Sequence, residues 1–311
     1  MKRHFRELSV AAALLLVLVA LAAFAPAFFS PQPLLSLLTR EAPTLIAACG
    51  MALVIIARQI DISVGAQFAV CSVGAGLLAA KLPLATVVPA AVAIGALLGA
   101  INGALIAGLR LPSIVVTLAT MVTLREALRW RQQGAFVNLP DGGQWFGLSQ
   151  TAGQWTLIGM AFVVLAMLAL ATRRLAAGRF IYAVGSDAEA ARLAGIRPRL
   201  TTFGVFVFMG ALTGLAAMMN IVQSPQVDPK SGTGLELKAI AAVVVGGVAI
   251  SGGRGHLWGV FAGLLLLATI APALTHLHVE AYWERAIQGA IILLAVVADG
   301  VRSRKEKGHQ G

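Results

Sequence analysis

The chain has 311 residues, of which 59% are hydrophobic and 12% charged, and it carries a formal net charge of +11 with a mean hydropathy of +0.86. Soluble domains are about 45–50% apolar and about 25% charged, so no water-bounded core absorbs this composition, whereas a bilayer accommodates about ten crossings of ~20 residues in a chain of this length. A basic balance in a soluble chain would point to nucleic acid. In a membrane chain it is the positive-inside bias of cytoplasmic loops, and nucleic-acid binding is set aside.

At the N-terminus, MKRHFRELS precedes VAAALLLVLVALAAFAPAFF and imitates a signal peptide, with AFA at 23–25 in the place of a cleavage site. The apolar run is longer than a typical h-region, and Pro26 would follow the cut. It reads as an uncleaved first helix over 9–29. Further spans are predicted at 42–57, 62–80, 85–109, 113–130, 155–172, 201–222, 237–250, 257–273 and 285–300. Several are short or broken by glycine, which predicts discontinuous or tilted helices. Cys49 and Cys71 fall inside spans, where cysteine acts as a small hydrophobe. No disulfide or metal spacing is present. With the N-terminus inside, about twice as many basic residues fall inside as outside. The even crossing number then puts both termini in the cytoplasm. The chain reads as one all-α polytopic membrane domain over 1–311, with an inner loop over 173–200 and an outer loop over 131–154.

Between the second and third spans the chain reads RQIDISVG. Arg58 and Asp61 are three residues apart and could pair. Asp61 or Ser63 could cap the third helix, where a carboxylate suits the N-terminus. The other reading makes Arg58, Asp61 and Ser63 part of an inner gate, because intramembrane ionisable groups are costly and often functional. Asn102, among small residues in the fourth span, is either an interhelical hydrogen-bond contact or a pathway residue. Trp130, Trp155, Trp258 and Trp283 lie near helix ends, as in an interfacial belt.

The inner loop contains GRFIYAVGSDAEAARLAGIRPRL. Ser186 and Glu189 have capping-box spacing, Gly195 stops the helix that follows, and Pro198 prevents its resumption. A helix of about two turns cannot stand alone in water. It either rests on the membrane and its own bundle or serves as a knob for a cytoplasmic partner. Thr233 and Glu236 form a second capping-box spacing, with a place in an outer vestibule as the alternative for Glu236. The glycines at 246, 247, 252, 253 and 255 lack the GxxxxGK[ST] pattern. They read as a helix break with close packing, and any ATP energy must come from another subunit. His276 and His278 are a weak metal signal. No catalytic triad or HExxH is present, so the chain does not read as an enzyme and implies no cofactor or metal.

Four blocks in order carry a family resemblance: IDISVG at 60–65, GAINGALIAGLRLPSIVVTLATM at 99–121, GRFIYAVGSDAEAARLAGI at 178–196, and GTGLELKAIAAVVVGGVAISGGRG at 232–255. Together they resemble the ribose-type monosaccharide permeases of ABC importers. The family's usual Gly-Gly before the first block is here Arg58-Gln59; an arginine at that place is similar to permeases for autoinducer-2. The resemblance implies a type II importer-like fold in a bacterial inner membrane, with neither ATP site nor catalysis of its own. It implies import of a sugar or sugar-like solute, with cytoplasmic ABC ATPase subunits, a periplasmic solute-binding protein, a second permease subunit and membrane lipid as partners. It assigns ATPase coupling to Gly178, Arg179, Gly185, Ser186, Asp187, Glu189, Ala191, Arg192 and Gly195. A self-sufficient secondary transporter is the competing class. It should carry ionisable groups at mid-membrane, of which the predicted spans hold few.

Overall fold

The computed structural model describes residues 26–140 and 142–276 without interruption, together with scattered positions over 14–23 and 280–297. The predicted spans at 9–29 and 285–300 therefore lie largely outside the described residues. Among the described residues the chain is helical, with two two-residue strands. Five helices among the described residues are long and apolar enough to cross a membrane: Pro31–Ile56, Leu84–Gly108, Gln150–Arg174, Pro198–Ile221 and Leu257–Thr275.

The first of these, α1 (Pro31–Ile56), opens with proline in its first turn, where no N–H is needed. It begins eleven residues before the predicted span. The predicted spans leave Arg40 and Glu41 between helices, but both are helical. Glu41 is buried against Lys238, with Nζ to Oε1 at 2.8 Å. Helix α1 is the axle of the bundle, buried almost continuously from Glu41 to Ala57. Helices α2 (Val64–Ala79), α3 (Leu84–Gly103) and α4 (Ser113–Gln132) follow. A π turn, Ala104–Gly108, extends α3. Then come α5 (Gln150–Arg174), α6 (Ala176–Ser186), α7 (Ala188–Leu193), α8 (Pro198–Ile221), α9 (Leu235–Val245), α10 (Leu257–Ala268) and α11 (Ile270–His276). The short α2 and α9 match the expectation of broken spans.

Around α1 pack α8, α5, α9 and α10, and α8 in turn carries α3 and α2. Their shared core contains Ile46, Met51, Ile55, Phe206, Met209, Met218 and Leu165, all fully buried. Helices α3 and α8 meet backbone to backbone. A Cβ at Gly95 or Gly99 would strike the carbonyl of Gly210 or Phe206, and one at Gly210 would strike the Gly95 carbonyl. Small residues four apart on both helices permit this approach, which substitutes van der Waals contact for a hydrophobic drive that lipid does not supply. On the outside, Leu97, Val163, Met167 and Leu170 are exposed, the surface a bilayer solvates.

The segment between α4 and α5 is more structured than a loop. Its strand β1 (Val137–Asn138) pairs antiparallel with β2 (Gln226–Val227), Val137 opposite Val227. This clasp ties the segment entering α5 to the segment that leads into α9.

Candidate functional site

One end of the bundle gathers the end of α1, the end of α5, α6, α7 and the glycine loop after α9. Helix α6 was not foreseen; its apolar face (Phe180, Ile181, Val184) alternates with small residues, the signal that marks it in retrospect. Gly178 sits against Ala171 and Thr172 at the end of α5, and Arg179 Nη1 donates to the Arg174 carbonyl at 3.0 Å.

Here the capping prediction is corrected. Ser186 is the last residue of α6, and the N-cap of α7 is Asp187, in extended conformation (φ −157°). Its Oδ1 accepts from the backbone N–H of Glu189 and Ala190, each at 2.9 Å. A carboxylate next to a helix N-terminus is the better acceptor, and it displaces Ser186 from the role. Glu189 turns instead to Arg192, whose Nε and Nη2 donate to its carboxylate. That pairing holds the Glu189 carboxyl below its ordinary range. Both side chains are exposed, while Ala191 is buried. Gly195 leaves the helix at φ +81°, as predicted. Pro198, rather than only blocking continuation, starts α8.

A knot of backbone holds this element to the bundle. The Ile56 carbonyl accepts from Gly253 N at 2.8 Å, and a Cβ at Gly185 would overlap that carbonyl. Gly253 lies against Ser186, and Gly252 lies against Gly185 and Arg58. Tyr182 Oη donates to the Gly255 carbonyl at 2.9 Å. The glycines after α9 thus serve close packing, the structural alternative to a phosphate loop.

Arg58 and Asp61 do not pair. Arg58 is exposed at φ +62°, whereas Asp61 is fully buried. Asp61 Oδ1 accepts from Ser63 N at 2.9 Å and from Ser63 Oγ at 2.5 Å, and Oδ2 accepts from Gln67 Nε2 at 3.4 Å. The Ser63 hydroxyl also accepts from Gln67 Nε2 (2.7 Å) and from Asn102 Nδ2 (2.9 Å). Asn102 Oδ1 accepts from Thr120 Oγ1 at 2.7 Å. Thr117 Oγ1 accepts from Ile62 N at 3.1 Å. Neither Asp61 nor Ser63 caps α2 through its side chain; Asp61 closes the turn before the helix. The network joins α2, α3 and α4 through groups that would each be costly if left unpaired. Sequence reasoning named Asp61, Ser63 and Asn102 but missed Gln67, Thr117 and Thr120, whose polar atoms are unremarkable until the fold brings them together.

Above the network, α2 and α9 begin face to face. A Cβ at Gly65 would collide with the Glu236 carboxylate and the Gly232 carbonyl, and Arg125 Nη2 lies 3.2 Å from the same point. Arg125 Nη1 donates to the Ser231 carbonyl at 3.2 Å. The second capping prediction is corrected as well. Gly234 is the N-cap of α9, at φ +85°; Thr233 Oγ1 donates to the Lys230 carbonyl, and among the described residues Glu236 Oε2 makes no hydrogen bond. A cavity of about 850 Å³ opens over this floor, lined by Arg40, Thr44, Phe68, Asn220, Thr233 and Lys238 among others. Glu41, paired with Lys238, lies about 15 Å from the Pro31 end of α1 and about 22 Å from its Ile56 end, at ~1.5 Å per residue. Glu41, Lys238, Arg125 and Glu236 all lie in helices of the bundle, Glu41 and Glu236 just outside the predicted spans and Lys238 and Arg125 toward span ends.

The family described as "Branched-chain amino acid transport system / permease component" matches residues 34–296. The chain is 33% identical over 296 residues to the ribose import permease protein RbsC of Escherichia coli (strain K12), covering 92% of this chain and 91% of that protein. It is 36% identical over 310 residues to the autoinducer 2 import system permease protein LsrC of Enterobacter sp. (strain 638), covering 98% and 90%. The ribose import permease protein RbsC of Haemophilus influenzae is 31% identical over 307 residues, covering 94% and 93%. No solved structure matches the chain.

Proposed function

Because the chain belongs to this family of transport-system permease components, we propose that it is the membrane-spanning subunit of an ATP-driven importer for a sugar or sugar-like small solute. The observation that carries this reading is the near full-length similarity to permeases named for ribose import and for autoinducer 2 import. Either class of cargo fits the cavity of about 850 Å³. Its walls offer hydroxyls, an amide and an aromatic ring beside the charges of Arg40, Glu236 and Lys238.

In this reading α6 and α7 face the cytoplasm and receive a separate ATPase. Asp187, Glu189 and Arg192 give the contact its polar edge, and Ala191 and Gly195 allow close approach. A push there passes through Gly185 and Ser186 to Ile56 and Gly253, hence to the ends of α1 and α9. A rigid element packed backbone to backbone transmits displacement rather than absorbing it. The opposite end of α9 is the floor of the cavity, where Glu236 and Gly232 meet Gly65. Movement of α9 opens or shuts that floor, with the Asp61–Ser63–Asn102 network holding α2 in place beneath it.

A second permease subunit is supported by α4. Its Arg129 and Glu126 side chains are 80% and 64% exposed, and a helix so charged is poorly solvated by lipid. A solute-binding protein would deliver cargo at the clasp end, and the location would be a bacterial inner membrane with both termini in the cytoplasm. The buried charges around the cavity favour one other reading, an ion-coupled secondary transporter. Proteoliposomes holding the chain with its ATPase, binding protein and any second permease subunit should accumulate radiolabelled solute only with MgATP. Accumulation by the chain alone, driven by an ion gradient, would refute the importer reading and establish the other. Within the assembled system, Asp61→Asn with unchanged uptake and ATPase rate would reduce Asp61 to a structural role.

A further inference from the structure

Beside the glycine knot lies a second cavity, of about 390 Å³. Three arginines from three separate segments line it: Arg58 from the α1–α2 turn, Arg110 from the α3–α4 turn, and Arg199 from the first turn of α8. Its lining contains no carboxylate. Among the described residues, none of the three guanidinium groups makes an ion pair or hydrogen bond. Like charges facing one space repel, and no carboxylate of the lining offsets them. Arg58 and Arg110 both hold left-handed backbone conformations, φ +62° and +59°, which non-glycine residues adopt at a cost.

The lining also includes Ser113, the first residue of α4, and Pro198, the first of α8. Helices of 20 and 24 residues therefore turn their N-terminal ends toward the same space. Unpaired amides and the positive end of the helix dipole favour an anion there. Leu111 of the lining and, next in sequence to Arg110 and Arg199, Leu109 and Leu200 are exposed at 42%, 66% and 60%. An inorganic ion has no use for such a rim, but the acyl chains of an amphiphile do. The cavity also lies level with the end of α1, where headgroups sit if α1 spans the bilayer.

We propose that the Arg58–Arg110–Arg199 cavity binds the phosphate headgroup of an anionic lipid, with the flanking leucines against its acyl chains. Basic pockets between helices at this level suit such headgroups. Because Val184 and Ala188 of α6 and α7 complete the lining, the bound lipid would touch the coupling element and the RQIDISVG turn together. This gives Arg58 a role that pairing with Asp61 does not.

The test uses the full chain in a neutral detergent, with lipid retention read by native mass spectrometry and unfolding by a thiol-reactive dye. Dioctanoyl phosphatidylglycerol should be retained and raise the unfolding midpoint. Dioctanoyl phosphatidylcholine should do neither, and inorganic phosphate should leave the midpoint in place. Arg58→Gln with Arg110→Gln should weaken retention of phosphatidylglycerol severalfold. Arg173→Gln with Arg174→Gln, outside the cavity, should leave it intact. Arg58→Lys with Arg110→Lys, which keeps the charge, should restore most of the binding and guards against a folding defect. Equal retention by the glutamine variant, or equal binding of the choline lipid, overturns the site. A midpoint shift by inorganic phosphate as large as that by the lipid overturns the lipid as occupant and leaves a free-anion site.

Discussion

Replacing one glycine of α8 by alanine should stabilise or destabilise the protein according to which face of the helix it lies on. A Cβ at Gly204 meets nothing within 4 Å, whereas one at Gly210 would strike the backbone of Gly95 and Gly99. Removing a glycine from a helix interior gains about 0.5–1 kcal/mol at either site. At Gly210 the added methyl must also force two helix backbones apart, and overpacking of this kind costs about 1–3 kcal/mol. The net change at Gly210 is then between about zero and a loss of about 2.5 kcal/mol; at about 2–4 °C per kcal/mol, its midpoint falls by up to about 10 °C, whereas that of Gly204→Ala rises by about 1–4 °C. Cys49 and Cys71 are both fully buried, so a thiol-reactive dye reports unfolding without any added probe. Equal midpoints for the two variants would refute the backbone contact between α3 and α8.

Three further outcomes follow from the same geometry. Lys238→Met removes the closer cation from buried Glu41 and leaves only the mostly exposed Arg40 at 3.7 Å, which should destabilise by up to about 3 kcal/mol, and adding Glu41→Gln should recover much of that in a double-mutant cycle. Asn102→Leu strips the Ser63 and Thr120 hydroxyls of a partner and should cost about 1–3 kcal/mol, read in the same dye assay. Because Arg192 holds Glu189 below its ordinary value of 4.5, the contribution of the pair is present above that value and is lost only as pH falls through the lower folded-state value. The ATPase rate of the assembled importer should therefore show no step from loss of this pair between pH 7.5 and about 5; a step there that is absent in Glu189→Gln would contradict the pairing.

Much of the fold was legible because the bilayer imposes long apolar runs, and the centres of the predicted spans lie on helices wherever residues are described. The boundaries were less legible. The span predicted at 42–57 leaves Arg40 and Glu41 outside, yet Glu41 is helical and buried because Lys238, nearly two hundred positions away, pairs with it. Capping was misread for a related reason: Ser186 and Glu189 have the right spacing, but an aspartate between them is the stronger acceptor and helix α6 had already claimed the serine. The polar network under the cavity was half visible, since Asp61 stands out in an apolar chain while Gln67, Thr117 and Thr120 do not. The glycine block after α9 packs closely, in line with its reading as a helix break, but that it grips Ile56 and Ser186 is a long-range fact no local pattern encodes.

The small ladder between Val137–Asn138 and Gln226–Val227 fastens stretches of chain nearly ninety positions apart at the rim remote from α6 and α7. Anything that lands on one stretch tugs the other, so a visiting protein would meet a single platform instead of two independent flaps. Because the second stretch runs on to Gly232 and Glu236, news of the landing has a short covalent road to the floor beneath the larger cavity.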